Sequence, residues 1–257
     1  MATSTSWKKQ IFAEKPSIKP ETRIRKQIDG VEKLLDLKHR NRVLDLGCGA
    51  GSQTIELARR DYRVVGMDSS NGALSQARSN AKAEELTVHF HCDKMTRIPF
   101  EGEFNAVLNL RNPLGCHKSD RDDLRCLEAI RGSLRPGGRL LLDLLNRDWI
   151  TRCIGVQNNV FDLRTGRLDC RGFRPRGGSS PVRDSLRIYS LTEIASMLER
   201  AQLRLKDAYG DYDGKSYGLD TPRMIVVAER GPERKKRVAR PDDGFERAVR
   251  VKGRSRG

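Results

Sequence analysis

The chain has 257 residues, of which 37% are hydrophobic, and its mean hydropathy is −0.65. This length suits one large α/β domain with appendages, and no run approaches the ~20 apolar residues that a membrane span needs. The first ten residues lack the apolar core of a secretory signal, so we expect a cytoplasmic protein without a membrane partner.

Most of the net charge of +16 comes from the two ends of the sequence. Residues 1–27 contain seven bases and two acids, and residues 230–257 contain eleven bases and four acids. Such ends either bind nucleic acid loosely or stay solvated. We therefore divide the chain into a basic N-terminal arm (1–29), a core (30–150), a β-rich insertion (151–190), the C-terminal part of the core (191–230) and a basic, disordered tail (231–257).

The six cysteines form no CxxC pair, and no histidine stands at metal-ligand spacing from them. In a reducing compartment this pattern is typical of free thiols. We therefore predict no disulfide and no metal site.

Apolar runs alternate with amphipathic segments through the first 145 residues. The predicted strands are residues 42–46, 63–67, 86–90, 104–110 and 139–145, and the predicted helices are residues 52–60, 73–84 and 120–134. Alternation of this kind is typical of a parallel sheet that helices cover on both faces.

The pattern changes after residue 145. The next predicted elements are a hairpin at 160–173, a strand at 183–189, a helix at 194–201 and strands at 203–209 and 224–229. Ser190 and Glu193 have the spacing of a capping box before the helix.

Three glycines, Gly47, Gly49 and Gly51, lie between the first predicted strand and the first predicted helix. Glycine lets the backbone turn sharply and approach a ligand, and such a loop lies at the carboxyl edge of a sheet. Asp68 ends the second strand, where an acid binds ribose hydroxyls. We therefore predict a nucleoside-type ligand. The alternatives are a dinucleotide site, whose third glycine would fall at Ser52, and a purely structural turn.

These segments resemble the motifs of class I S-adenosylmethionine (SAM)-dependent methyltransferases. The segments are Val43-Leu-Asp-Leu-Gly-Cys-Gly-Ala-Gly51, Val64-Val-Gly-Met-Asp-Ser-Ser70, Cys92-Asp-Lys-Met95, 104–110 and 134–142. The resemblance covers roughly residues 30–230. It implies a Rossmann-like α/β fold with a mostly parallel seven-stranded sheet and an antiparallel last strand, to which the pattern adds a small antiparallel β insertion.

The resemblance also implies a set of SAM-binding residues. The glycine loop would support the methionine part, Asp68 would bind the ribose, and Asp93 would contact the adenine amino group. Asp45 would lie near the SAM ammonium group. The full implied set is Asp45, Gly47, Cys48, Gly49, Gly51, Met67, Asp68, Ser69, Asp93, Lys94, Met95 and Asn109.

Residues 142–149 and 209–214 are similar to a bacterial subgroup of the class whose acceptor is unknown. Within 111–117 this chain lacks the aromatics that are common there. His117 follows the fourth predicted strand and is the candidate general base, although methyl transfer needs a base only when the nucleophile arrives protonated.

Residues 210–217 are predicted to form part of the acceptor pocket, because the link between the last two strands reaches the carboxyl edge. The predicted acceptor-binding residues are Arg111, Tyr212, Asp213 and Tyr217. The leading hypothesis is a methyltransferase for a nitrogen or oxygen atom of a small molecule. The alternatives are an RNA or protein methyltransferase that uses its basic ends, and a SAM-binding protein without catalysis. The sequence predicts no particular oligomeric state.

Overall fold

The computed structural model describes residues 19–110, 114–117, 119–154, 161–170 and 185–232. Its helices there are α1 Pro20–Leu35, α2 Ser52–Arg59, α3 Asn71–Ala83, α4 Asp120–Ser133, α5 Arg147–Ile154 and α6 Leu191–Arg200. The strands of the larger sheet are β1 Arg42–Leu46, β2 Arg63–Asp68, β3 His89–Cys92, β4 Phe104–Asn109, β5 Leu134–Leu145, β9 Leu203–Tyr209 and β10 Arg223–Arg230. Three short strands form a second sheet: β6 Phe161–Asp162, β7 Arg167–Asp169 and β8 Ser185–Arg187.

The larger sheet has seven strands in the order β3-β2-β1-β4-β5-β10-β9. The first five strands pair in parallel, whereas β10 is antiparallel to both β5 and β9. Strand β9 therefore runs in the same direction as β1 to β5. This confirms the predicted mostly parallel, seven-stranded sheet with an antiparallel last strand.

Helices cover both faces of this sheet. Val43 packs on one face with Ile28 of α1 and Leu57 of α2, whereas Leu44 packs on the other face with Leu127 of α4. Because both faces are buried, the strands are near-continuous apolar runs in the sequence. The carboxyl edge of the parallel strands is where ligands bind in such sheets.

Helix α1 was not predicted, and the predicted boundary between arm and core, at residues 29 and 30, falls inside it. Ile28, Val31 and Leu35 form its buried stripe against the sheet. Its charged residues lie on the exposed face, which is why composition alone assigns the segment to a basic arm.

Strand β3 begins three residues later than the predicted strand at 86–90. Its register with β2 places His89 opposite Val65. Leu86 and Val88 pack instead against the apolar cluster under α3. The first apolar residues of the alternating pattern therefore pack against α3, and only its last residues belong to the strand.

The predicted boundary between core and insertion, at residues 150 and 151, falls inside α5, which was also not predicted, and the insertion contains the antiparallel sheet β6-β7-β8. This confirms the predicted small antiparallel insertion. Trp149 and Ile150 of α5 pack with Leu168 and Ile188 in a cluster of their own. The rest of the predicted hairpin and strand, at 160, 171–173 and 183–184, lies outside the described residues.

Candidate cofactor and acceptor site

The glycine loop joins β1 to α2 at the carboxyl edge of the sheet. Gly47, Gly49 and Gly51 all have positive φ, at 73°, 56° and 82°. A side chain would strain each of these positions. At Gly51 a Cβ would also lie only 3.0 Å from the Cβ of Ala77. The loop therefore depends on glycine for its shape as well as for close approach.

Asp68 ends β2 beside this loop. Its Oδ2 accepts the N–H of Gly49 at 2.9 Å, and its Oδ1 accepts the N–H of Ser70 at 2.9 Å. Each carboxylate oxygen has a second lone pair, so both can accept another hydrogen bond. Asp68, the predicted ribose-binding residue, thus lies against the glycine loop that is predicted to hold the methionine part of SAM.

Asp45 is buried on β1, and its Oδ2 accepts the hydroxyl hydrogen of Thr54 at 2.6 Å. The carboxylate therefore holds the first turn of α2. Cys48 and Met67 are also buried in apolar clusters. The roles predicted for these three residues toward SAM stay predictions.

The loop after β3 carries Asp93, Lys94 and Met95. The N–H of Lys94 donates to Asp93 Oδ1 at 2.7 Å, and Arg97 Nε lies 3.0 and 2.9 Å from the two carboxylate oxygens. The hydrogen bond from Arg97, together with that from Lys94, holds the pKa of Asp93 below its usual range. Asp93 is therefore an ionised acceptor at neutral pH, as contact with an amino group requires.

Asn109 ends β4, the strand next to β1, and is 1% exposed. Its Nδ2 lies 3.7 Å from Met95 Sδ. Its Oδ1 is buried and has no hydrogen-bond partner among the described residues. A buried acceptor without a partner costs about 1–3 kcal/mol, so this oxygen fits a ligand that brings a donor.

The four neighbouring strand ends thus carry a glycine loop, the acids Asp68 and Asp93, and a buried carbonyl oxygen that has no donor among the described residues. These groups suit a nucleoside joined to a cationic amino acid, which is the chemistry of SAM. The site residues fit this cofactor, although the individual contacts stay predictions.

His117 lies in the turn between β4 and α4. Its Nδ1 lies 2.6 Å from Oδ1 of the buried Asp123, and the hydroxyl of Tyr189 donates to Asp123 Oδ2 at 2.6 Å. The N–H of Gly115 donates to Asp123 Oδ1 at 2.9 Å. The candidate base is therefore part of a hydrogen-bonded cluster that the sequence did not predict.

The predicted acceptor loop packs inward through its two tyrosines. The Tyr212 hydroxyl donates to Asp143 Oδ2 at 2.8 Å and accepts from Gln27 Nε2 at 2.8 Å. The Tyr217 hydroxyl lies 2.7 Å from Asp148 Oδ2. Both hydroxyls therefore form hydrogen bonds with other side chains of the protein.

The other two predicted acceptor residues are placed differently. Asp213 is exposed, and its N–H donates to Asp211 Oδ1 at 3.0 Å. Arg111 lies outside the described residues. The acceptor-binding role of residues 210–217 stays a prediction.

Several residues of these clusters were not predicted from the sequence. Gln27, Asp143 and Arg223 meet at Tyr212, where Arg223 Nε donates to Asp143 Oδ1 at 2.7 Å. They come from α1, β5 and β10, so no local spacing relates them. Asp123 had a weak local signal, because it is an acid in the first turn of a helix that follows His117 closely.

Comparison with known proteins gives the class. A family model described as a methyltransferase domain matches residues 43–138. The chain is 31% identical to YqeM of Bacillus subtilis over 42% of this chain and 44% of that protein. It is 29% identical to the ubiquinone biosynthesis O-methyltransferase of Dinoroseobacter shibae over 68% of this chain and 66% of that protein. The chain thus spans less than two thirds of the length of both relatives.

A solved structure shows the same fold. It is that of an S-adenosylmethionine-dependent methyltransferase from Clostridium acetobutylicum, with a TM-score of 0.66 and 18% identity, and the match covers 88% of this chain and 97% of that one. The chain therefore contains a methyltransferase domain, and its fold is that of a SAM-dependent methyltransferase. The class predicted from the sequence is confirmed. Among the described residues, no helix has the length and apolar character needed to cross a membrane.

Proposed function

We propose that this chain transfers the methyl group of SAM to a nitrogen or oxygen atom of a small-molecule acceptor. The observation that carries the proposal is the buried Asn109 Oδ1, which has no donor among the described residues and lies on the strand next to the glycine loop. An ammonium group bound there would supply the missing hydrogen bond.

The remaining contacts follow from the strand ends. The backbone of Gly47 to Gly51 would hold the methionine part, Asp68 would accept from the ribose hydroxyls, and Asp93 would accept from the adenine amino group. When bound, SAM supplies a methyl group that its sulfonium already activates. The protein then has mainly to align the acceptor, because proximity and orientation can supply much of the rate.

The insertion supports a small acceptor. The N–H of Arg187, in β8, donates to the carbonyl oxygen of Gly115 at 3.0 Å, and Arg167 Nη2 donates to that of His117 at 3.3 Å. The small sheet is thus anchored on the turn that follows β4, beside the carboxyl edge. A cover in this position restricts the size of acceptor that can enter. The relative from Dinoroseobacter shibae, named as an O-methyltransferase of ubiquinone biosynthesis, supports an oxygen acceptor.

The test has two stages. Calorimetry with SAM and with S-adenosylhomocysteine should show binding of both. Isotopically labelled SAM is then incubated with the protein and cytoplasmic extract, which is separated into RNA, protein and metabolite fractions. Label in the metabolite fraction is expected. Label in the RNA fraction, in an amount that decreases as the salt concentration rises, would favour the alternative of an RNA methyltransferase that uses its basic ends. Most of the residues of these ends lie outside the described residues. Binding without label in any fraction would contradict methyl transfer.

A further inference from the structure

A series of hydrogen bonds between side chains begins beside the glycine loop. Gln53 and Thr54 lie in the first turn of α2, directly after the loop. Thr54 donates to the carboxylate of Asp45, at the end of β1, at 2.6 Å. Gln53 is 8% exposed, and its Nε2 donates to Oε1 of Gln27, in α1, at 3.1 Å. The turn that follows the predicted cofactor loop is therefore fastened both to β1 and to the first helix.

The series continues from Gln27 to the loop after β9. Gln27 Nε2 donates to the Tyr212 hydroxyl at 2.8 Å, and this hydroxyl donates to Asp143 Oδ2 at 2.8 Å. Asp143 is 2% exposed, and both of its oxygens contact the guanidinium of Arg223. Three hydrogen bonds in series thus connect Gln53, beside the glycine loop, with the carboxyl end of β5.

The carboxylate of Asp143 gives these hydrogen bonds a single direction. A carboxylate only accepts, so the Tyr212 hydroxyl donates to it and leaves its own oxygen to accept from the amide nitrogen of Gln27. The amide oxygen of Gln27 then faces Gln53 and accepts from it. Every donor therefore points towards Asp143, and one ion pair determines how the amide of Gln27 is oriented.

Buried polar contacts of this kind specify geometry more strictly than apolar packing does. A buried amide or hydroxyl lowers stability unless it is paired, and the pairing is lost when donor and acceptor move apart by about 1 Å. Gly30, one turn after Gln27, lets the backbone of Tyr212 approach α1 closely enough for the amide to reach the hydroxyl. A separate shift of either the first turn of α2 or the loop after β9 would therefore break at least one hydrogen bond.

We propose that Gln27 is a positioning residue that couples the glycine loop to residues 210–217, so that bound SAM fixes both loops together. The proposal rests on the proposed function, because it takes the glycine loop as the SAM-binding loop. Gln27 acts through Gln53 on one side and through Tyr212 on the other, and it needs no contact with the cofactor. Residues 210–217 are the predicted wall of the acceptor pocket, so the bound cofactor would set this wall before the acceptor enters.

Amide hydrogen exchange in the loop tests the coupling in the wild type, because linkage between two sites is reciprocal. The N–H of Gly210 donates to the carbonyl oxygen of Lys215 at 2.7 Å, and the N–H of Lys215 donates to Asp211 Oδ1 at 2.9 Å. Exchange of these hydrogens requires the loop to open. Saturating S-adenosylhomocysteine should slow it by about fivefold or more. Exchange that bound S-adenosylhomocysteine leaves unchanged would overturn the proposal.

Two substitutions break the series at different points. Gln27→Met removes the amide at nearly the same side-chain length, and Tyr212→Phe removes the hydroxyl two hydrogen bonds away from Gln53. In both variants we expect the dissociation constant of S-adenosylhomocysteine to rise by about fivefold or more and the slower exchange of residues 210–217 to disappear. The double variant should bind no more weakly than Gln27→Met, since both substitutions break the same series.

The chain offers a matched control for each substitution. Gln202→Met makes the same change at an exposed glutamine before β9, at the end of that strand opposite to the loop. Tyr209→Phe removes a hydroxyl that interacts with the exposed Asp207 and takes no part in the series. Both controls should bind S-adenosylhomocysteine with wild-type affinity and keep the slower exchange of residues 210–217.

Calorimetry on the wild type separates this proposal from the proposed function. If S-adenosylhomocysteine does not bind the wild type, the proposed function fails, and the coupling fails with it. If it binds every variant with equal affinity and still slows exchange of residues 210–217 in Gln27→Met, the cofactor site stands and the coupling is overturned. If Gln27→Met does not fold, Tyr212→Phe decides in the same way.

Discussion

Asp68 is a single side chain that links two parts of the predicted cofactor site. One of its oxygens holds the backbone of the glycine loop and the other holds the turn before α3. The carboxylate is thereby fixed in orientation before any ligand arrives. A fixed acceptor loses little freedom when it binds, which favours affinity.

Replacing Asp68 by Ala should weaken binding of S-adenosylhomocysteine. Hydrogen bonds to charged groups contribute about 1.5–3 kcal/mol each, so we expect the dissociation constant to rise at least about tenfold. Calorimetry on both proteins is the measurement, and Glu101→Ala is the control because that acid is exposed. Equal affinity for Asp68→Ala and wild type would remove Asp68 from the site, and a preference for NAD over SAM would contradict the whole assignment.

Tyr212 is a second residue whose role can be measured directly. Burial, and then the negative charge of Asp143, raise the pKa of its hydroxyl far above the usual value, so it remains a donor at all ordinary pH values. Tyr212→Phe leaves Asp143 and Gln27 each without one buried partner. We expect the free energy of unfolding in urea to fall by about 1–3 kcal/mol.

The matched control for that change is Tyr209→Phe. The Tyr209 hydroxyl interacts with Asp207, which is exposed. Water can therefore take the place of the hydroxyl as the partner of Asp207 in the variant. We expect a change within about 0.5 kcal/mol for this variant. If Tyr212→Phe were as stable as Tyr209→Phe, the buried hydrogen bonds of Tyr212 would contribute nothing to the free energy of unfolding.

The capping box of α6 shows how one element fastens another. Ser190 accepts the N–H of Glu193 at 3.3 Å, and the N–H of Ser190 donates to Glu193 Oε2 at 2.8 Å. Glu193 also pairs with Arg187 of β8 at 2.6 Å and Arg147 of α5 at 2.8 Å. The start of the helix therefore anchors the insertion to the core.

This arrangement predicts an acid-sensitive contribution to stability. Burial opposes ionisation of Glu193, but the Ser190 N–H and Arg187 outweigh it and lower the pKa to about 2, from an ordinary value of 4.5. A carboxyl group with a lowered pKa in the folded state stabilises it fully above the ordinary value. This contribution disappears as the pH falls from about 4.5 towards about 2.

Urea unfolding of wild type and Glu193→Gln at a series of pH values checks this prediction. The wild type should be the more stable at neutral pH, and the difference should shrink as the solution becomes acidic. Glu101→Gln serves as the control, with no pH-dependent difference expected. A difference for Glu193→Gln that is constant over the whole range would show that its charge is unimportant.

At the scale of the whole molecule, α1 packs closely against the loop after β9. A Cβ at Gly30 would lie 2.3 Å from the carbonyl oxygen of Tyr212 and 2.6 Å from its Cβ, which is closer than atoms can pack. Gly30 thus allows the loop after β9 to rest directly on the helix. The contact joins an element near the start of the described chain to one near its end.

Gly30→Ala should force α1 and this loop apart. Overpacking of this kind costs about 1–3 kcal/mol, and we expect a matching fall in the free energy of unfolding. Gly132→Ala in α4 is the control, because a Cβ there meets nothing within 4 Å. Since alanine favours helices, that change should stabilise the protein by about 0.5–1 kcal/mol. If both variants are stabilised, the close docking of α1 is wrong.

The sequence predicts the sheet well because local patterns determine it. Buried runs such as 42–46 and the glycine loop after them identify the strands and the cofactor edge. Helix α1 was missed because its buried stripe is narrow and its charges dominate composition. The clusters around Asp123 and Asp143 could not be predicted, since Tyr189 and Tyr212 reach them from distant parts of the chain. Tertiary contacts of this kind leave no local spacing in the sequence.

The position of β10 has a consequence for synthesis on the ribosome. This strand is made after the other six, yet it lies between β5 and β9. Until residues 223–230 have emerged, β5 and β9 each present an unpaired edge, and unpaired edges readily associate with other chains. A nascent chain interrupted before Arg223 therefore carries a glycine loop and an open sheet together, so we expect protection by chaperones to matter most during the last stage of translation.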